Sequence, residues 1–338
     1  MSVSALLAAL AVSAIASWIG TGWARRYTLS RSILDQPNER SSHVNATPRG
    51  GGIALAAVTL GFIIVTLIAG IIPGRIGGSM LVAGAMIAGI GWLDDHRHVG
   101  AGWRALVHFA AAIIVVTAID GMRDLRVGAG SAHLGIVGSI VAVLTIVWLI
   151  NLYNFMDGID GIAGVNAITV GLSGGLLLYL AGDATLSAIA LVTAAAAAGF
   201  LVWNWPPAKI FMGDVGSGFL GFIFGALAVT SEARHSVPLI VWALLLGVFL
   251  VDSTVTLIRR ISRGEKWYSA HRSHAYQRLV HGGSSHARVT GSVAALNVGL
   301  LALALAAYAF PAAMLVVVAT GLGALGLLYY WVERKHPM

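Results

Sequence analysis

The sequence predicts an all-α polytopic integral membrane protein of about eleven transmembrane helices, its N-terminus outside and its C-terminus cytoplasmic. Three observations carry this. Hydrophobic residues make up 58% of the 338 residues and charged residues only 10%, far from the roughly 25% charged expected of a soluble domain. Apolar runs of membrane-spanning length recur from one end of the chain to the other. Lys and Arg collect in alternate connections between those runs.

A bilayer core of about 30 Å needs about 20 apolar residues per helix. By that measure the spans fall at approximately 3–22, 52–72, 77–93, 104–119, 134–152, 161–181, 184–203, 216–230, 238–258, 289–310 and 312–332. In the first, no Lys or Arg precedes the apolar run and Arg25 and Arg26 follow it, the reverse of a secretory signal's charge order, so it is read as a retained span. The third, fourth and eighth are short, and their polar ends are expected to lie in protein rather than headgroups. No repeat, low-complexity linker or soluble domain is visible, so residues 1–338 are expected to form a single transmembrane domain.

This topology makes a charge prediction. Of the 21 Lys and Arg, only Arg75, Arg123, Arg126 and Arg234 fall outside, which leaves 17 inside. That is the asymmetry of the positive-inside rule, so the formal charge of +7 reflects orientation and no nucleic-acid partner is expected. Without a cysteine, disulfides and Cys-based zinc or redox chemistry are excluded.

The inner connections hold every motif-like string: DQPNERSSHVNATPRGGG (35–52), GWLDDHRHVG (91–100), NLYNFMDGIDG (151–161), FMGDVGSG (211–218) and HRSHAYQRLVHGGSSH (271–286). Among them Asp94, Asp95, Asp157, Asp160 and Asp214 supply hard oxygen donors. Such a set suits Mg²⁺, or Mn²⁺ in its place, with a phosphate substrate completing the coordination, and metal-assisted phosphoryl transfer follows. The bland alternative for each carboxylate is a solvated helix end.

Adjacent Asp94 and Asp95 would diverge by about 100° on a helix, so they are expected to have different partners, with His96, Arg97 or a metal within reach. Asn154, Asp157 and Asp160 are spaced by three, and Gly158 and Gly161 point to local unwinding between them. The glycines around Asp214 suggest a helix N-terminus able to receive phosphate oxygens. Arg272, with His271 and His274, has the chemistry to grip a diphosphate. Asp252 is an intramembrane ionisable group, for which pairing with Arg259 or Arg260 is the simplest expectation.

Taken together, DQPNERSSHVNATPRGGG, LDDHRHVG, NFMDGIDG, FMGDVGSG and HRSHAYQRL resemble the inner-loop motifs of the polyprenyl-phosphate N-acetylhexosamine-1-phosphate transferases, the WecA/MraY-like superfamily, in order and over essentially the whole chain. The absence of a soluble extension makes the chain most similar to the short WbpL-type bacterial members. The resemblance implies a Mg²⁺-dependent enzyme of the bacterial inner membrane. It would transfer N-acetylhexosamine 1-phosphate from a UDP-N-acetylhexosamine to undecaprenyl phosphate, release UMP at the cytoplasmic face, and so start an O-antigen-like surface polysaccharide.

Carried over by motif, the resemblance implies Asp214 as metal ligand with Asn154 beside metal and diphosphate. It implies catalytic roles for Asp94, Asp95, Asp157 and Asp160, with one of the first pair deprotonating the lipid phosphate. Phe211 matches a uracil-stacking position, and His271, Arg272 and His274 the loop that handles diphosphate and sugar. Arg40, His43 and Arg49 are expected to bind phosphate. The family's longer DDxxD pattern ends here in His98, so no third Asp is available there. Expected partners are the two substrates, the lipid bilayer and, through apolar helix faces, a second copy in a homodimer. The rival readings are a cation-coupled transporter, which would place carboxylates near the midplane and show repeats, and an inert assembly scaffold.

Overall fold

The computed structural model describes residues 1–31, 33–35, 46–97, 99–265 and 271–338. Its helices are α1 (Val3–Ser30), α2 (Gly52–Ile68), α3 (Gly74–His96), α4 (Ala101–Ala118), α5 (Ile136–Met156), α6 (Ile162–Leu180), α7 (Ala184–Asn204), α8 (Gly213–Ala233), α9 (Leu239–Leu245), α10 (Gly247–Ser262), α11 (Ala275–His281), α12 (His286–Ala309) and α13 (Met314–Lys335). Two antiparallel ribbons accompany them, β1 (Leu34–Asp35) with β2 (Thr47–Pro48) and β3 (Asp124–Val127) with β4 (Gly130–His133). The protein is an all-α polytopic membrane protein, and each apolar stretch predicted to span is helical.

Three details depart from expectation. Nine helices are long and apolar enough to cross a membrane among the described residues. The predicted ninth span is broken into α9 and α10, which meet at 87°, and α2 has only 17 residues. The stretches predicted to be short belong to helices of 23, 18 and 21 residues, because α3, α4 and α8 continue through their polar ends. Asp94, Asp95, Arg104 and Asp214 therefore stand on helical turns, where their mutual contacts replace headgroups.

The helices differ sharply in exposure. The apolar window of α8 is 94% buried within the protein, whereas that of α1 is 11% buried. α8 is the axis, packed by α2, α3, α4, α5, α6, α7 and α9. Small residues permit this, since helices in lipid associate through close van der Waals packing rather than apolar burial from water. The decisive contact is at Gly91, where a Cβ would stand 2.6 Å from the carbonyl oxygen of Asp214 and the amide nitrogen of Val215. Bare backbone at Gly91 is what lets the last turns of α3 approach the first turn of α8.

The ion pairs sort to two ends. At one, Arg75 pairs with Asp120 (2.8 Å), Arg234 with Asp183 (2.7 Å) and Arg126 with Glu232 (3.4 Å), all from connections predicted to share the outer side. At the other lie Arg49, Asp94, Asp95, Arg104, Asn154 and Asp214. A cavity of about 790 Å³, lined by residues including Arg126, His235 and Tyr308, opens at the first end, and no residue of the second cluster lines it.

Replacing Gly91 with Ala should destabilise the protein by about 1–3 kcal/mol, the usual cost of overpacking where backbone cannot yield. Thermal melts in detergent measure this. Gly89→Ala, whose Cβ would meet nothing within 4 Å, is expected to leave the melting temperature unchanged.

Candidate active site

The cluster is organised by the N-terminus of α8. The first amides of a helix lack intrahelical acceptors and carry the positive end of its dipole. Asp95 fills that place. Its side chain is fully buried, and its carboxylate accepts hydrogen bonds from the amides of Asp214 (2.9 Å) and Val215 (3.1 Å) and pairs with Arg49 Nε at 2.7 Å. The helix end that the sequence suggested for phosphate is thus occupied by the protein's own carboxylate.

Arg49 also pairs with Asp214. Its position is fixed by a backbone strip: the Phe211 amide donates to the Pro48 carbonyl (2.8 Å), Gly51 to Phe211 (2.9 Å) and Gly52 to Met212 (2.9 Å). Two distant loops are thereby zipped together with Arg49 and Asp214 across the seam. Burial works against the charge of Arg49, but Asp214 and Asp95, helped by Asp35 and Asp157, prevail and raise its pKa.

Asp94 points elsewhere, accepting from the Val99 amide (2.7 Å) and pairing with Arg104 (2.7 Å). Arg104 reaches on to Asp214 at 3.2 Å. The counterions of the aspartate pair are therefore Arg49 and Arg104, not the expected Arg97 or His96; Arg97 is exposed and His96 Nδ1 contacts the Trp92 carbonyl at 2.8 Å. Arg104 was visible in the sequence only as one of many inner basic residues. Asn154 completes the group, donating through its amide nitrogen to Asp214 (2.9 Å) and Ser217 (3.3 Å).

The segment after Asn154 unwinds as the glycines suggested. α5 ends at Met156, α6 begins at Ile162, and Gly161 adopts a φ of 78°, a left-handed turn that glycine takes at no steric cost. Asp160 is tied into the scaffold: its carboxylate accepts from the Ala208 amide (3.0 Å) and lies 3.3 Å from His286. Asp157 differs, since its carboxylate receives no hydrogen bond from the described residues. Burial, opposed by Arg49 and reinforced by Asp214, Asp95 and Asp160, pushes its pKa well up.

This imbalance tests the fit of a cation. Asp94, Asp95, Asp157 and Asp214 would bring four negative charges against the two positive charges of Arg49 and Arg104, and the half-buried Asp157 carboxylate receives no hydrogen bond from the described residues. Hard oxygens in excess of their counterions fit a divalent cation such as Mg²⁺, which commonly takes one or two carboxylates and completes its shell with water and phosphate. No ready-made cage of three or more His, Cys, Asp or Glu exists among the described residues, in keeping with such a partial donor set.

The remaining predicted residues lie around this centre. Phe211 is half-buried and contributes its backbone to the seam. His274 is buried, with Nδ1 3.3 Å from Asp252 and its ring 6.2 Å from that of Phe155, so it serves the interior rather than an open diphosphate site. His271 is half-buried and Arg272 exposed. Burial, then His274 and Arg260, lower the His271 pKa to about 4, which leaves it neutral near pH 7 and able to offer a hydrogen bond but not a charge. Asp252 pairs with neither Arg259 nor Arg260 and instead receives the Ala275 and Tyr276 amides. Arg40, His43 and His98 lie outside the described residues.

Fold and site define a class: a helical membrane protein with an acidic, arginine-bridged centre at one end of its bundle. Residues 78–232 match the sequence profile of glycosyl transferase family 4, a segment that contains both Asp94 and Asp214. The chain is 33% identical over 328 residues to the decaprenyl-phosphate N-acetylglucosaminephosphotransferase of Mycolicibacterium smegmatis, covering 88% of this chain and 80% of that one. It is 30% identical over 294 residues to a probable undecaprenyl-phosphate N-acetylglucosaminyl 1-phosphate transferase of Bacillus subtilis, covering 83% and 79%. A shorter match, 33% over 93 residues and 28% of each chain, joins it to the phospho-N-acetylmuramoyl-pentapeptide-transferase of Moorella thermoacetica. The chain belongs to glycosyl transferase family 4, in its WecA/MraY-like superfamily.

Two outcomes follow from this geometry. Asp95→Ala should cost about 1–2 kcal/mol from the lost helix cap alone, read as a lower melting temperature, with Asp95→Asn less affected. His271 has a folded pKa of about 4 against an ordinary 6.5, so the unfolded chain takes its proton first. Its contribution to stability is present above pH 6.5 and is lost as the pH falls toward 4; His271→Gln should flatten the melting-temperature profile across that window.

Proposed function

We propose that the protein transfers N-acetylhexosamine 1-phosphate from a UDP-N-acetylhexosamine to undecaprenyl phosphate at the cytoplasmic face of the bacterial inner membrane, releasing UMP and starting a lipid-linked surface polysaccharide. The observation that carries this reading is the meeting of Asp94, Asp95, Arg49, Arg104, Asn154 and Asp214 at one end of the bundle, in a chain whose relatives are named as polyprenyl-phosphate N-acetylglucosamine phosphotransferases. Those names make UDP-N-acetylglucosamine the first donor to test. The charge excess of inner Lys and Arg supports the cytoplasmic placement.

In this reaction an oxygen of the acceptor phosphate bonds to the β-phosphorus of the donor, the bond from that phosphorus to the bridging oxygen breaks, and UMP departs with the electron pair. A phosphate monoester is largely dianionic near pH 7, with a second pKa of about 6, so the nucleophile needs little help from a base and direct attack is favoured. Positioning and charge stabilisation then dominate catalysis. Asp214 and Asp157, with Asn154 beside them, would hold Mg²⁺, which when bound supplies Lewis-acid stabilisation of charge on the phosphoryl oxygens. Arg49 and Arg104 offer planar guanidinium groups suited to diphosphate oxygens. Asp94, with one face toward Arg104, is the better placed of the pair to meet the lipid phosphate, because Asp95 is enclosed and committed to α8.

Purified protein should release UMP when given undecaprenyl phosphate, Mg²⁺ and UDP-N-acetylglucosamine, within a panel of UDP-N-acetylhexosamines. Silence with every donor would falsify the transferase reading. Asp214→Ala should lower turnover by about 10²–10³-fold or more while the protein still melts cooperatively, and chelation should abolish UMP release.

A further inference from the structure

We infer that Tyr276 and Asp252 are positioning residues that hold the Asn154–Asp157 turn in place: Asp252 fixes α11, and the Tyr276 hydroxyl on α11 caps the frayed end of α5. Neither residue belongs to the polar cluster, and both act through others.

The chain of contacts starts on α10. Asp252 is buried, and its Oδ1 accepts from the Ala275 amide (2.9 Å) and the Thr256 hydroxyl (3.2 Å), with His274 Nδ1 at 3.3 Å. Its Oδ2 accepts from the Tyr276 amide at 3.2 Å. A carboxylate buried this deeply is tolerated because these donors replace its water. The result is a fixed origin for α11. Midway along that short helix, Arg278 pairs with Glu333 of α13 and stacks over Tyr329 with its guanidinium carbon 5.2 Å from the ring centre. α11 is held at its start and at its middle.

Tyr276 belongs to the held start of the helix. It is buried, and its hydroxyl donates to the Phe155 carbonyl at 2.9 Å. The last four carbonyls of any helix lack intrahelical donors, and Phe155 is the penultimate residue of α5. Tyr276 supplies the missing donor from another part of the chain. Phe155 follows Asn154, which holds Asp214, and comes two residues before Asp157, whose carboxylate receives no hydrogen bond from the described residues. At the next residue, Gly158, a Cβ would run into the Tyr276 hydroxyl and lie 3.0 Å from the side-chain nitrogen of Gln277, so α11 lies directly against the turn.

Hydrogen–deuterium exchange of the detergent-solubilised full chain, read on peptides covering residues 150–161, tests this. Tyr276→Phe keeps the ring and removes only the hydroxyl. It is expected to speed exchange in that segment several-fold with the melting temperature within about 2 °C of wild type, since one hydrogen bond among hundreds is lost. Asp252→Asn should do the same and also loosen residues 271–281. In UMP release, which depends on the transferase reading, Tyr276→Phe should lower kcat about fivefold with KM for the UDP-sugar changed less than about twofold. Unchanged exchange in residues 150–161 overturns the inference, whether or not the wild type turns over; so does faster exchange with an unaltered kcat in an active enzyme.

Discussion

The Asp95 carboxylate at the N-terminus of α8 is the contact on which the rest depends. It joins the C-terminal end of one helix to the N-terminal end of another, where the amides of α8 favour an anion that the end of α3 does not. Two amides and Arg49 compensate its burial. Once Asp95 is seated, Asp214 is fixed beside it, Arg49 bridges the two, and Arg104 ties Asp214 back to Asp94. Four segments remote in sequence are registered by a handful of charged contacts, at a depth where unpaired charge would be costly. Gly91 is the steric condition for all of it.

Much of the architecture was legible in the sequence because lipid imposes a simple length rule. Apolar stretches could be located, and the connections could be sorted by Lys and Arg into two groups, which the structure places at opposite ends of the bundle. Turn chemistry was also readable: the glycines after Asn154 announced the break between α5 and α6, and the NFMDG and FMGD strings marked two walls of the centre. What could not be read was pairing. Arg104 differs from other inner arginines only in where α4 places it, and Asp95 capping α8 from 119 positions upstream leaves no periodic trace. The 87° break at α9 was equally hidden, since the residues around Leu246 are as apolar as those of any continuous span. Asp252 was noticed as an odd charge in an apolar helix, but its partners are two backbone amides, the Thr256 hydroxyl and His274, which a search for a neighbouring Arg does not find.

The site residues divide by what their side chains already satisfy. Asp95, Asp160 and His274 spend their hydrogen-bonding capacity on the fold, on α8, on the Ala208 loop and on Asp252 respectively. Among the described residues Asp157 keeps its carboxylate without a donor, and Asp214 is held by Arg49, Arg104 and Asn154, side chains that can exchange partners. Residues drawn from the same motifs thus fall into a rigid frame and an exchangeable interior. Preorganisation for charge stabilisation requires that combination, because a frame that relaxes on binding returns the energy it was built to supply.

The enclosure of α8 has a consequence beyond packing. Membranes vary in thickness, and a spanning helix answers a mismatch by tilting or by deforming the lipid around it. That adjustment falls on helices that touch lipid, such as α1, whose apolar window is only 11% buried, while α8 at 94% has almost no lipid-facing surface to pull on. The polar centre therefore stands on helices of unlike exposure, Asp214 on the enclosed α8 and its partner Arg104 on α4, whose apolar window is 22% buried, so that a change in acyl-chain length bears on Asp214 only through the helices packed around it.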